Sequence, residues 1–163
     1  MNGTRSQEHT SIYHHLPVEA GRVHNAYQLI PPLWDTLIYV PSVALGPLTR
    51  RHLSGLDYFQ ERNYYFIQAL ADPAKQVIFI LSEHMQDDLL RYHTNLLLRT
   101  SDISEDRLRN LHVLKVHQPA DVSLSAAALA DDHVIATIRH LTAGRRSGFD
   151  FWTVGPDEIA LAA

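Results

Sequence analysis

The stretch Gln76-Val77-Ile78-Phe79-Ile80-Leu81 is the strongest structural signal in the sequence. It contains five consecutive apolar residues, three of them β-branched, and it ends at the polar residues Ser82-Glu83-His84. A short, continuous apolar run of this kind is typical of a strand that is buried on both faces of a sheet. It is also far shorter than the roughly 20 residues that a bilayer-spanning helix needs. We therefore predict a buried strand at this position.

Further strands and helices alternate on both sides of this run. Similar β-branched and aromatic runs predict strands at Thr36–Val40, Leu111–Val116 and residues 149–154. Apolar residues at helical spacing predict helices over residues 56–71, 87–98, 123–141 and 156–163. Strand and helix thus alternate four times. This order predicts an α/β fold, a Rossmann-like parallel sheet of about four strands with helices on both faces.

The first 34 residues differ in composition from the rest of the chain. They are rich in Asn, Thr, Ser, Gln and His and end close to the stiff Pro31-Pro32 step. We interpret residues 1–34 as a weakly structured N-terminal arm and residues 35–163 as one α/β domain. An alternative for part of the arm is a short helix, because four apolar residues share one helical face: Val23, Ala26, Tyr27 and Ile30.

Composition excludes several classes of protein. The 163 residues are 45% hydrophobic and 20% charged, which is ordinary for a globular domain. Fourteen Lys and Arg against 18 Asp and Glu give a net charge of −4, so no basic surplus supports nucleic-acid binding. With no cysteine there is neither a disulfide framework nor a thiol nucleophile. The N-terminus lacks the apolar stretch of a secretory signal, and we expect a cytoplasmic protein with no membrane partner.

The common catalytic and cofactor motifs do not occur. No G-x-G-x-x-G follows a strand, and there is no G-x-x-x-x-G-K-[ST], no H-E-x-x-H and no G-x-S-x-G. The 11 histidines are scattered, apart from the adjacent pair His14-His15 in the arm. We therefore predict no catalytic residue, no metal site and no cofactor bound by this chain.

Polar residues at the ends of predicted strands are the candidates for ligand contact. Open α/β sheets bind ligands outside the carboxyl ends of their strands. Ser42 follows the first strand, and Ser82, Glu83 and His84 follow the second. We interpret these four residues as substrate-binding groups. The alternative for Ser82, Glu83 and His84 is a loop that caps the next helix.

Several segments resemble the N-terminal region of pheganomycin-type ATP-grasp peptide ligases. Tyr58-Phe59-Gln60-Glu61-Arg62 is similar to their Y-x-x-E-R stretch, and the apolar strand ending at Ser82, followed by Leu90-Arg91-Tyr92, resembles their next strand and helix. Asp121-Val122-Ser123 resembles an Asp-x-Ser segment that precedes a helix. Phe151-Trp152-Thr153-Val154 and Glu158-Ile159-Ala160-Leu161-Ala162 resemble the last strand and a Glu-x-x-Leu-Ala helix. Together these segments span about residues 37–163 in the family's order.

The resemblance implies a pre-ATP-grasp domain. Such a domain packs on the lobes that hold ATP and magnesium and helps to shape the substrate cleft, while the family joins a carboxylate to an amine. Nothing in this chain corresponds to the ATP-clamping lysine or to the metal-binding Glu and Asn of those lobes, and its only lysines are Lys75 and Lys115. The resemblance therefore implies a domain that is not catalytic by itself. Its partners would be ATP-grasp lobes in cis or in trans.

The last residues read as a helix. Pro156 suits its first turn, Asp157 and Glu158 suit its positive end, and an apolar helical pattern continues to Ala163. We expect the chain to be the front portion of something longer, and the isolated chain to leave apolar surface uncovered and to tend to form a homodimer.

Two other readings of the whole chain remain open. One is a stand-alone interaction module that docks a partner through an aromatic helix face at residues 64–67. The other is a small independent α/β enzyme, which would need a deep pocket at the strand ends with strongly shifted ionisable groups.

Overall fold

The computed structural model describes residues 34–53, 55, 61, 64–100 and 104–163. Its strands are β1 (Thr36–Val40), β2 (Gln76–Ser82), β3 (Leu111–Val116) and β4 (Ser147–Phe151). Its α-helices are α1 (Pro47–His52), α2 (Asp87–Thr100), α3 (Leu124–Leu129), α4 (Asp132–Thr142) and α5 (Pro156–Ala162). Two 3₁₀ helices cover Tyr64–Ala71 and Glu105–Asn110.

The four strands form one parallel sheet in the order β3-β2-β1-β4. β2 pairs with β1 and β3, and β4 pairs with the free side of β1. Every residue of β1 and β2 is buried, as the continuous apolar runs predicted. The Rossmann-like α/β fold is therefore confirmed. The strand order reverses direction between β1 and β4, which makes this pair the topological switch point.

Side chains alternate between two cores on opposite faces of the sheet. Ile38, Ile78 and Ile80 pack with α3, α4 and the α5 residue Leu161. The alternate residues Tyr39 and Phe79 pack with the 3₁₀ helix Tyr64–Ala71 and with α2. Helices therefore cover both faces of the sheet, as predicted. Among the described residues, no helix combines the length and the apolarity needed to cross a bilayer.

The predicted helix over residues 56–71 is described only in part. Glu61 is α-helical, and Tyr64–Ala71 is a 3₁₀ helix that ends at the predicted residue, while residues 56–60, 62 and 63 lie outside the described residues. A 3₁₀ helix has three residues per turn, so residues three apart share one face. Tyr64, Ile67 and Leu70 have this spacing, and each is only 1% exposed. The tighter helix thus places all three on the sheet.

The single long helix predicted over residues 123–141 is wrong, because two helices replace it. α3 ends at Leu129, and the carboxylate of Asp131 accepts hydrogen bonds from the backbone N–H groups of His133 and Val134. An aspartate that caps in this way starts a new helix. A smaller correction is that β4, predicted over residues 149–154, lies at Ser147–Phe151.

The predicted N-terminal arm lies outside the described residues, including the short helix at Val23 to Ile30, except for Trp34. The backbone carbonyl of Trp34 accepts a hydrogen bond from the Lys75 ammonium. Its indole covers Gly148 in β4 so closely that a Cβ atom at Gly148 would overlap the ring. The described part of the chain therefore begins in contact with the sheet.

Asp150 in β4 gives a prediction about pH. Burial raises the pKa of this carboxyl above its usual value. The folded state therefore binds the proton more readily than the unfolded state does, and the carboxylate costs stability as pH rises above about 4. We expect Asp150→Asn to raise the melting temperature at about pH 7 and to give no gain at about pH 3, where the carboxyl is protonated in both states. Melting curves at the two pH values check this, and an unchanged or lower melting temperature at the higher pH would contradict it.

Candidate functional site

A cavity of about 250 Å³ lies at the carboxyl ends of β1, β2 and β3. Ser42 lies two residues after β1, Ser82 is the last residue of β2, and Gln118 lies two residues after β3. Some of the residues that line the cavity are buried, whereas His84 and Pro119 are exposed. This is the edge where parallel α/β sheets place their ligands.

The structure brings together three of the four residues predicted to contact substrate. Ser42, Ser82 and His84 all line the cavity. Glu83 is not among its lining residues: it is exposed, and its carboxylate contacts Nδ1 of His117 and lies 3.9 Å from Nε2 of His84. Glu83 therefore belongs to a charged cluster beside the cavity. Binding by these residues stays a prediction.

Ser82 also contributes to the alternative reading of its loop. Its hydroxyl lies 3.4 Å from the backbone N–H of His84, which donates to it. The Ser82 carbonyl in turn accepts a hydrogen bond of 3.0 Å from the N–H of Met85. Ser82 thus closes the turn before α2 and lines the cavity at the same time.

Arg50 is the functional candidate that the sequence analysis missed. It lies in α1, is only 6% exposed, and lines the cavity. Its Nε–H donates to the carbonyl of Leu45 at 3.1 Å, and its Nη2–H donates to the carbonyl of Val43. These bonds tie the guanidinium to the turn after β1. The sequence signal was a basic residue in the first helix after a strand, which is a weak signal on its own.

The charge of Arg50 is not neutralised by a direct ion pair within the described part of the chain. Both of its hydrogen bonds go to backbone carbonyls, and three of the five guanidinium N–H groups are left over. Burial lowers the pKa of Arg50, while attraction from Glu158 and Asp157 opposes this shift. An arginine remains protonated under such conditions. The wall of the cavity therefore carries a positive charge and guanidinium N–H donors that the described residues do not use.

The switch point between β1 and β4 is filled by the chain itself. The Ser42 hydroxyl donates to Oε1 of Glu158 at 2.5 Å, and the Gly155 N–H donates to Oε2 at 2.9 Å. Glu158 is in the first turn of α5 and is only 1% exposed. Nearby, the Ser123 hydroxyl, which caps α3, donates to Oδ2 of Asp157 at 2.5 Å. A carboxylate of the protein thus occupies the crevice where related folds place a ligand, and the cavity lies beside it.

The cavity at the strand ends does not fit a nucleotide or a metal ion. The cavity is smaller than the lower end of ordinary ligand pockets, about 300 Å³. The turn after β1 holds one glycine, Gly46, rather than a glycine-rich phosphate loop. No group of three or more His, Asp or Glu in the described ranges is arranged to hold a metal. What the arrangement can hold is a small, polar, negatively charged group.

The aromatic helix face proposed for partner docking is largely buried. Tyr64 and Ile67 are each 1% exposed, and the Tyr64 ring packs edge-on against Phe79 with centroids 5.8 Å apart. Phe66 packs on Tyr39 at 4.8 Å, which leaves Tyr65 as the exposed aromatic residue. The packing of these rings belongs to the core of the domain.

Comparison with known proteins gives no relative: the chain matches no protein-family model, no curated protein and no solved structure.

Proposed function

We propose that this chain is the N-terminal, substrate-side domain of an ATP-grasp carboxylate–amine (peptide) ligase, and that it is not catalytic by itself. In this proposal the cavity at the strand ends holds a carboxylate group of a small substrate. The observation that carries it is Arg50, a buried guanidinium with unused donors in the wall of a polar cavity. Arginine recognises carboxylates through paired, charge-assisted hydrogen bonds.

Three of the segments that resemble the ligases have described residues at or next to this cavity. Ser82 ends β2 and lines the cavity, and Glu158 accepts a hydrogen bond from Ser42. In the Asp-x-Ser segment, Ser123 caps α3, and the first residue of that helix, Leu124, lines the cavity. Segments far apart in sequence thus support one cavity, which favours a shared role in shaping a substrate cleft.

ATP and magnesium are assigned in this proposal to lobes outside this chain, because the cavity at the strand ends fits neither. Those lobes would activate the carboxylate that reacts, and they would meet this domain in cis or in trans. A ligase that consumes ATP works where ATP is supplied, so a cytoplasmic location is part of the proposal.

The family assignment is tested by the source DNA around the coding region. We expect ATP-grasp lobes to be encoded downstream in the same reading frame or by a neighbouring gene. If neither the frame nor the neighbouring genes encode such lobes, the ligase assignment is wrong.

The cavity is tested by titrating the full chain with succinamate, a small molecule with one carboxylate, and following backbone amide NMR signals. We expect Arg50→Gln to weaken binding about tenfold or more, because a hydrogen bond to a charged group is worth about 1.5–3 kcal/mol. Arg50→Lys keeps the charge but loses the paired geometry and is expected to retain part of the affinity.

Arg51→Gln is the matched control for this titration. Arg51 is the next residue of the same helix, is exposed, and binds Asp121 instead of lining the cavity. Its replacement is expected to leave succinamate binding within about twofold of the wild type, as for an exposed pair of low energy. Equal affinities of the Arg50→Gln and Arg51→Gln variants would contradict the proposal.

A further inference from the structure

Glu158 lies behind the cavity rather than in its wall. Its side chain is 1% exposed and is not among the lining residues, yet it contacts the wall through the 2.5 Å hydrogen bond from Ser42. It also attracts the guanidinium of Arg50. Ser42 and Arg50, two polar residues of the cavity wall, therefore both interact with the buried carboxylate of Glu158.

One cation and two carboxylates set the electrostatic field in this part of the cavity before a ligand enters. Arg50 supplies one positive charge, and Glu158 and Asp157 oppose it. Asp157 is exposed and is screened by solvent, whereas Glu158 is enclosed by protein, where charges interact more strongly. A ligand with one negative charge gains the attraction of Arg50. A second negative charge on the ligand adds repulsion from Glu158 with no further cation in the described wall to offset it.

We infer that Glu158 is a specificity-determining residue, which makes the cavity prefer singly charged carboxylates to doubly charged anions. This inference rests on the proposed function, because it concerns the same cavity. The preferred ligand class is a small monocarboxylate, such as an amino acid or a short peptide with one net carboxylate, rather than a dicarboxylate or a phosphate ester.

Glu158→Gln isolates the charge of this residue. The glutamine oxygen can accept from the Gly155 N–H, and the amide N–H can donate to Ser42 Oγ, which has one acceptor lone pair besides the one that takes the Ser125 N–H at 3.4 Å. The hydrogen-bonded frame is therefore retained, while the negative charge behind Arg50 is removed. A role limited to structure would change the affinity for all ligands alike.

Succinamate and succinate are suitable probes, because they have nearly the same size and differ by one negative charge. Each is titrated into the full chain at about pH 8, where the carboxyl groups of both probes are ionised. We expect the wild type to prefer succinamate and Glu158→Gln to shift the ratio of the two affinities toward succinate by about fivefold or more.

Two further variants calibrate the measurement. Asp157→Asn removes the exposed neighbouring carboxylate and is expected to shift the ratio in the same direction by a smaller factor, because solvent screens that charge. Glu105→Gln removes a remote, exposed charge in the 3₁₀ helix Glu105–Asn110 and is expected to leave the ratio unchanged.

The outcomes separate this inference from the proposed function. If the wild type binds succinamate but Glu158→Gln leaves the affinity ratio unchanged, the role of Glu158 in specificity is overturned, whereas carboxylate binding by the cavity is supported. If the folded wild type binds neither probe, the carboxylate cavity and the inference drawn from it are both overturned.

Discussion

Replacing Phe79 by alanine is expected to lower the free energy of unfolding by about 3–5 kcal/mol, the usual cost of deleting a buried phenyl ring. Phe79 is at the centre of β2 with no exposed surface. Its ring packs edge-on against Tyr39 and Tyr64, with centroids 5.6 and 5.8 Å away. Deletion removes one ring from a three-ring cluster and leaves a cavity that the rigid sheet cannot close. Urea unfolding of the full chain measures the loss.

Tyr92→Ala is the control for this core prediction. Tyr92 lies in α2 and is 60% exposed, so its truncation is expected to change stability by no more than about 0.5 kcal/mol. Equal losses of unfolding free energy in the two variants would contradict the packing of the Phe79 ring against Tyr39 and Tyr64.

Replacing Glu158 by alanine is expected to lower the free energy of unfolding by about 2–4 kcal/mol, because one buried donor loses its acceptor at about 1–3 kcal/mol and one half-buried donor loses its acceptor at a smaller cost. The donors are the hydroxyl of Ser42 and the N–H of Gly155. The loss also loosens the attachment of α5 to the end of β1. Denaturant unfolding gives the size of the effect.

Two further variants, one at the next residue of α5 and one at Glu158 itself, serve as controls for the Glu158→Ala prediction. Ile159→Ala changes the next residue of α5, which is 63% exposed, and is expected to cost about 0.5 kcal/mol or less. Glu158→Gln can retain both hydrogen bonds and is expected to lose less than Glu158→Ala. A Glu158→Ala variant as stable as Ile159→Ala would show that the bonds at the switch point contribute nothing.

The parallel sheet could be predicted from sequence because its central strands are buried on both faces. A strand such as β2 is then apolar at consecutive positions, residues 77–81, rather than at alternate ones. The short length and the β-branched residues of this run favour a strand over a buried helix. Helix type was harder to predict. The spacing of Tyr64, Ile67 and Leu70 fits a 3₁₀ helix and an α-helix almost equally well, and packing on the sheet decides between them. The break at Asp131 depends on side-chain capping, which competes with helix continuation.

The candidate site was predictable only where it follows from topology. Ser42, Ser82 and His84 lie at or within two residues of the ends of β1 and β2, and the parallel sheet brings these strand ends together. Arg50 reaches the same cavity from within α1 by folding back on the turn after β1, which leaves no motif in the sequence. Glu158 suited the positive end of α5, but the sequence did not indicate its burial or its bond to Ser42. Glu83 was predicted to contact substrate because it follows Ser82 in the chain, but it does not line the cavity.

We propose above all that the cavity at the carboxyl ends of β1, β2 and β3 receives a carboxylate. An NMR titration of the full wild-type chain with succinamate, with succinamide as the uncharged control, tests this binding. We expect succinamate to shift the backbone amide signals around Ser42, Arg50, Ser82 and Gln118, and succinamide to leave them unchanged. Equal responses to the two compounds, or shifts confined to other parts of the domain, would contradict it.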